Sequence, residues 1–261
     1  MIKPHPTTVL MYHAVSAVGD GFSRADAHYS VGPTQFLEQL QIVRDAGRRP
    51  QSVQSLLLRP EASAVAFTFD DGDVSNAWAA QALHDAGGSG DFFVNTQTIG
   101  KTGHLSWQAL RDMTAAGMSI QSHAHSHRYL DELTLAEVEQ ELHTSKAMLE
   151  DKLGCPVELF APPGGRMPAG MHLTTTRLGY KAICSSRVAL WHDLRSDDIP
   201  RLAVLRGTTP AQFAKWLAQD RLELLRQRLR YGALISSKQL LGNTNYERVR
   251  RGLLRLASGG R

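Results

Sequence analysis

The 261-residue sequence predicts a single α/β domain on a parallel, barrel-like sheet with a basic helical extension behind it, and three features lead to that class. Strand-like apolar runs alternate with segments of helical period, as parallel sheets require because their crossovers are helices. One run, Ala64-Val65-Ala66-Phe67-Thr68-Phe69, reads as a buried strand and stops abruptly at Asp70-Asp71-Gly72. Apolar residues make up 42% of the chain, ample for the core of a one-domain barrel.

Taken in order, strands are expected near residues 7–12, 64–69, 91–95, 118–121, 157–161, 180–185 and 202–205. Helices are expected near 33–47, 74–86, 106–116, 134–153, 168–178 and 210–219. Pro33-Thr34-Gln35-Phe36 and Thr134-Leu135-Ala136-Glu137 look like helix starts, while Gly47, Gly117, Gly154 and Gly179 stand where helices stop. Residues 1–220 form the barrel on this reading, and 221–261 the extension. No internal repeat or low-complexity tract interrupts the pattern.

The end of the strand at 64–69 is where parallel α/β folds place chemistry. Adjacent side chains on a strand point to opposite faces, so Asp70 and Asp71 share a pocket only where the chain is already turning, a turn that Gly72 permits. About fifty residues later Ser122-His123-Ala124-His125-Ser126-His127 offers two imidazoles four positions apart, after the short apolar segment Gly117-Met118-Ser119-Ile120. A carboxylate and two imidazoles suit a zinc-like ion with a position left for water, and the second acid is free to move protons. Taken alone, Asp-Asp-Gly is equally the chemistry of a turn, and a histidine cluster that of a solvated loop.

On these residues the chain resembles the polysaccharide deacetylase family, also called the NodB homology domain or carbohydrate esterase family 4. The family's first motif, Thr-Phe-Asp-Asp-Gly, stands at 68–72, and its second matches His123 to His127. The resemblance runs over roughly residues 7–210 and implies a distorted barrel of about seven strands. It implies that Asp70 is the general base and that Asp71, His123 and His127 hold one divalent ion, zinc foremost, with cobalt, nickel or iron as alternatives.

The sequence departs from the family pattern in two places. The third motif normally carries an arginine where this chain has Ala161, in Phe160-Ala161-Pro162-Pro163-Gly164-Gly165-Arg166. Arg166 is expected to turn back and pair with Asp70, and Gly164 to offer a backbone N–H to an oxyanion, the alternative being an ordinary Pro/Gly turn. The family's late Leu-x-His motif is also missing, since no histidine follows His192. A branch of the family has that histidine first, and Thr8-Val9-Leu10-Met11-Tyr12-His13 makes His13 the expected general acid. Leu190-Trp191-His192 is the competing assignment.

Cys155 and Cys184 are too few for a disulfide framework and are expected as free thiols. The sequence shows no signal-peptide pattern and no run of membrane-spanning length, so a cytoplasmic location is expected. Charge is uneven: residues 221–261 hold ten Lys or Arg against two acids, whereas 1–220 are net acidic. Arg221 to Tyr231 and Tyr246 to Leu256 set leucines among arginines at helical spacing, which suits either packing on the barrel or an anionic membrane surface. Nucleic acid is not an expected partner, because Tyr231 and Tyr246 make no stacking platform. The partner that the resemblance implies is an acetylated carbohydrate, with deformylation of an amino sugar, or carbohydrate binding without turnover, as rival activities.

Overall fold

The structure is a computed structural model and describes residues 6–17, 23 and 25–232. It divides into two units, 1–219 and 220–261. In the second, residues 221–232 are helical, and the expected helix at Tyr246 to Leu256 lies outside the described residues.

The first unit is a parallel sheet curled into a partial barrel with helices around it. Its strands are β1 (Thr8–Tyr12), β4 (Arg49–Gln51), β5 (Ala64–Phe69), β6 (Asp91–Val94), β7 (Ser119–Ser122), β8 (Leu159–Phe160), β9 (Ala182–Cys184), β10 (Asp198–Ile199) and β11 (Leu202–Ala203). Two further short strands, β2 (Ala14–Val15) and β3 (Ser30–Val31), pair with each other beyond the end of β1. The helices are α1 (Pro33–Asp45), α2 (Val53–Leu58), α3 (Asn76–Asp85), α4 (Trp107–Ala115), α5 (Leu135–Leu153), α6 (Met171–Arg177) and α7 (Pro210–Leu217).

The sheet runs β10-β9-β8-β7-β6-β5-β1-β11, eight strands on its path rather than the expected seven or so, with β4 paired to β5 off that path. Pairing with β1 occupies one edge of β5 along its length. Its other edge is shared, β4 taking Ala64 to Ala66 and β6 taking Thr68 and Phe69. The strands that end the path, β10 and β11, are separated in the chain only by Pro200 and Arg201. Two sheet edges joined by two residues must meet, so the sheet wraps round on itself with Arg201 in the seam.

Strand alternation sorts the side chains. Val9, Ala64, Ala66, Phe93, Leu159, Ala161, Ala182, Cys184 and Ile199 form one buried cluster inside the barrel, joined by Val53 and Leu56 of α2. The opposite faces of β1 and β5 point outward, where Tyr12 stacks on Phe67 and Phe69 and meets Phe36 of α1 edge-on. Phe69 in turn stacks on Phe92 at 4.6 Å. Both faces are therefore dry, which is why the run at 64–69 reads as continuously apolar.

Local chemistry fixes the helices. Thr134 and Glu137 form a reciprocal capping box at the start of α5, and Gly154 closes that helix in the left-handed conformation at φ 67°. The short β4 and α2 were not expected from the sequence. Each is too brief to show a period, and Pro50 and the run Leu56-Leu57-Leu58 resemble loop and strand more than what they form.

Candidate active site

Interior parity delivers the site. Ala64, Ala66 and Thr68 face inward, so Asp70, next in that alternation at the C-terminal end of β5, does too. Phe93 pairs with Gln121, so His123, two residues on, also points inward. Asp71 belongs to the opposite parity, but its φ of 75° turns it into the left-handed region, which aspartate tolerates better than most residues. Gly72 follows at φ 66°. Two successive left-handed residues bring both carboxylates to one mouth.

Asp71, His123 and His127 present ligand atoms that all lie within 4.8 Å of one another. One carboxylate oxygen, Oδ1 of Asp71, lies 3.2 Å from His123 Nε2 and 3.1 Å from His127 Nε2. His123 Nδ1 lies 2.7 Å from the carbonyl of Ala161, so it carries a proton and donates it there. In the neutral ring Nε2 then offers a lone pair to a carboxylate that also has only lone pairs. Only a cation between them resolves that contact, and a divalent ion fits a carboxylate with two imidazoles, one oriented from behind by a carbonyl. With a proton as the cation the same geometry works on His123: burial pushes its pKa down, but Asp71 and Asp70 outweigh this and raise it. Burial likewise pushes Asp71 up, yet His123 and His127 hold it well below the carboxylate range.

The loop carrying the histidines is tied to α5. Glu141 accepts hydrogen bonds from the backbone N–H of His125 and Ser126 and from the Ser126 hydroxyl. The His125 ring bonds Thr96 Oγ1, away from the cluster.

Asp70 is buried and makes a two-pronged ion pair with Arg201, whose Nη1 and Nη2 donate to its two oxygens at 2.7 and 2.8 Å. Burial pushes the Asp70 pKa up, but Arg201, with His123 and His13 behind it, overcomes this and holds it below the usual value. Arg201 is wholly buried in the seam and also bonds Thr68 Oγ1 and the carbonyl of Ser185. The expected pairing of Asp70 with Arg166 is therefore corrected. Arg166 instead lies over the Tyr129 ring and pairs with Glu132 at 3.1 Å and Asp131, because the turn before it points its side chain toward the loop after β7.

That turn, Pro163–Gly165, holds Gly164 at φ 63°, and a Cβ there would come within 2.6 Å of the Tyr129 ring. Close packing as well as backbone conformation thus requires this glycine. His13, just past β1, lines a pocket of about 230 Å³ together with Asp71, Asp73, Asn95, His104 and His127. Its Nδ1 is buried without a hydrogen-bond partner among the described residues. Trp191, by contrast, bridges to Thr7 at the start of β1, which places His192 at the other end of the barrel.

Sequence reasoning passed over Arg201 and Glu141. Both left a signal, a charge set into an apolar pattern: Arg201 between Ile199 and Leu202, and Glu141 on the buried stripe of Val138, Leu142, Ser145 and Leu149.

Comparison with known proteins agrees with this architecture. Residues 58–183 match the polysaccharide deacetylase family model. The curated protein "Putative polysaccharide deacetylase YxkH" of Bacillus subtilis (strain 168) is 26% identical over 223 residues, 82% of this chain and 77% of that protein. The deacetylase PplD of Streptococcus pyogenes, solved in complex with acetate, has the same fold, with TM-score 0.74 at 24% identity over 82% of this chain and 99% of that one. A polysaccharide deacetylase from Bacillus cereus also reaches TM-score 0.74, at 23% identity over 82% of this chain and 69% of that one. Both sequence motifs stand at the C-terminal mouth of the fold these proteins share, and the segment that carries them, residues 58–183, is similar to the polysaccharide deacetylase family.

Proposed function

We propose that this protein removes the acetyl group from an N-acetylated sugar, using a divalent ion, zinc foremost, held by Asp71, His123 and His127. The observation that carries this reading is the juxtaposition of an Asp/His/His cluster with a separate aspartate kept ionised by a buried arginine. A divalent ion held there supplies Lewis acidity, polarising an amide carbonyl and acidifying water. Asp70 accepts the proton of the attacking water, and Arg201 keeps that carboxylate charged and fixed in orientation. The backbone N–H of Gly164 is assigned to the developing oxyanion. His13, which lines the same pocket as Asp71 and His127, delivers the proton to the departing amine.

Elemental analysis of purified protein, alongside acetate release from N-acetylglucosamine oligomers, tests the reading. About one ion per chain is expected, lost in Asp71→Ala and His123→Ala together with turnover. A wild type that takes up no ion from added zinc or cobalt, or that releases no acetate once loaded, refutes it.

We further propose that the basic extension meets an anionic membrane surface. On the helix 221–232, Leu222, Leu225 and Leu229 are exposed at a spacing that shares one face, among Arg221, Arg226, Arg228 and Arg230. Among the described residues no helix is long and apolar enough to cross a membrane. Co-sedimentation with anionic vesicles, lost on deleting 221–261, is the expected result; pelleting that survives the deletion, or never occurs, removes the proposal.

A further inference from the structure

β1 and β5 are paired as far as Tyr12 and Phe69, and the Asp70 amide still donates to the Tyr12 carbonyl at 2.9 Å. One residue on, the pairing ends, because Asp71 and Gly72 take the chain after β5 through the left-handed conformation. His13 stands where the two chains part. Side chains there take over from the backbone ladder. Asn76, the first residue of α3, donates from Nδ2 to the His13 carbonyl at 2.6 Å, and Ser75 Oγ accepts from the Val15 amide at 3.0 Å. Ser75 is itself held by Asp73, whose Oδ1 accepts from its amide and its hydroxyl, and Asp73 Oδ2 accepts from Ser23 Oγ. The segment that carries His13 is thus fastened to the stretch 70–76, which also supplies Asp70 and Asp71.

The His13 ring has no such fastening. Its Nδ1 is buried without a hydrogen-bond partner among the described residues, and the ring meets Tyr29 at 4.6 Å with a tilt of 44°. With no acceptor at Nδ1 to orient the imidazole, its place follows from where its backbone is held. Asn76 is wholly buried, and its Oδ1 also lacks a partner among the described residues. A buried amide with its acceptor unmet is costly as scaffold, so the bond that its donor makes to His13 calls for a reason beyond the fold.

We infer that Asn76 is a positioning residue for His13: its amide fixes the proton donor relative to the Asp70 and Asp71 carboxylates, so that acid, base and metal ligand are registered from one stretch of chain. The inference rests on the deacetylase reading, in which His13 protonates the departing amine.

The test compares the zinc-loaded wild type with Asn76→Leu, which keeps the branching of the side chain and removes the donor, and with Ser75→Ala, His13→Ala and Asn76→Leu/His13→Ala. Each is assayed on an N-acetylglucosamine oligomer and on para-nitrophenyl acetate, whose phenolate leaves without being protonated. The ratio of amide to aryl ester kcat is expected to fall about a hundredfold in His13→Ala, about tenfold in Asn76→Leu and about threefold in Ser75→Ala. The double variant should match His13→Ala, because an absent group cannot be misplaced. Equal losses on both substrates in Asn76→Leu, or losses that multiply in the double variant, make Asn76 part of the scaffold and overturn the inference. If Asn76→Leu does not fold, Ser75→Ala decides, and an unchanged ratio there overturns it. Nitrogen-15 spectra of histidine-labelled protein read the ring directly, with the His13 signals identified by their loss in His13→Ala. These signals should shift or broaden in Asn76→Leu, and unmoved signals overturn the inference. A wild type whose His13 signals respond to Asn76→Leu yet which releases no acetate keeps the tether and refutes the deacetylase reading, so the two failures are distinct.

Discussion

Asp70 and Asp91 face the same interior from neighbouring strands, with Asp91 level with Thr68 and Asp70 one inward position higher. Both are buried. Asp70 is answered by a full countercharge, Arg201, and is held ionised. Asp91 is answered by the backbone N–H groups of Val53 and Gln54 at the start of α2, and burial pushes its pKa up to about 7. A buried acid that ties a helix to the barrel floor needs donors and no particular charge. One that takes protons, the role proposed for Asp70, needs its charge guaranteed. The partner of a buried carboxylate thus separates chemistry from scaffolding where residue type and burial do not.

Substituting the two acids breaks the comparison most sharply. Asp70→Asn should lower kcat by about a thousandfold, the scale of a lost general base, while Asp91→Asn should leave kcat near wild type and show its effect in the melting temperature. Acetate release and thermal melting on the same preparations decide this; comparable loss of rate in both variants would mean that the interior works as one unit. Arg201→Met is the next largest. It leaves Asp70 buried without its countercharge, at a cost of roughly 3–5 kcal/mol. Because Arg201 is what holds the Asp70 pKa down against burial, its loss raises that pKa, and the acid limb of the pH–rate profile moves toward neutral pH. The double variant Asp70→Asn/Arg201→Met should melt higher than Arg201→Met alone, since the unpaired charge is gone.

For Asp91→Asn the expected cost is smaller, about 1–3 kcal/mol, because one oxygen must serve two backbone donors. It is also pH-dependent. The folded-state pKa is raised from 3.8 to about 7, so the folded protein binds the proton more tightly, and this contribution to stability is full below pH 4 and lost as pH rises through 7. The gap in stability between wild type and Asp91→Asn should therefore be widest near pH 4 and narrow toward pH 8. A gap that widens with pH would mean that the charged carboxylate is the one the fold prefers.

The same contrast explains what was legible in the sequence. Strand alternation and helix punctuation are local, so the strands at 8–12 and 64–69 and the helix at 135–153 stand close to where periodicity puts them. Asp70, Asp71, His123 and His127 were visible because each ends or follows an apolar run. Arg201 was not, since its role depends on the closure of the sheet, which brings residues 70 and 201 together and leaves no trace in either neighbourhood. Arg166 looked suitable because it follows a tight Pro-Gly turn, but the direction in which such a turn releases its next side chain depends on Tyr129 across the gap.

Glu141 sharpens the comparison, because it combines the two kinds of acid. Like Asp91 it is satisfied by backbone N–H groups, yet those groups belong to His125 and Ser126, between His123 and His127 of the Asp/His/His cluster. Its work is therefore positional: it holds a loop in which Ala124 and His127 both have positive φ and which would relax without an anchor. Glu141→Ala should weaken zinc binding about tenfold, at the low end for residues that orient metal ligands, and Glu141→Gln, which keeps one acceptor oxygen, should lose less. Zinc titration of the metal-free protein reads this directly. If Glu141→Ala only lowers the melting temperature and binds zinc as wild type does, the three hydrogen bonds serve the fold as those of Asp91 do, and the geometry of the histidine loop is set by His123 and the Ala161 carbonyl instead.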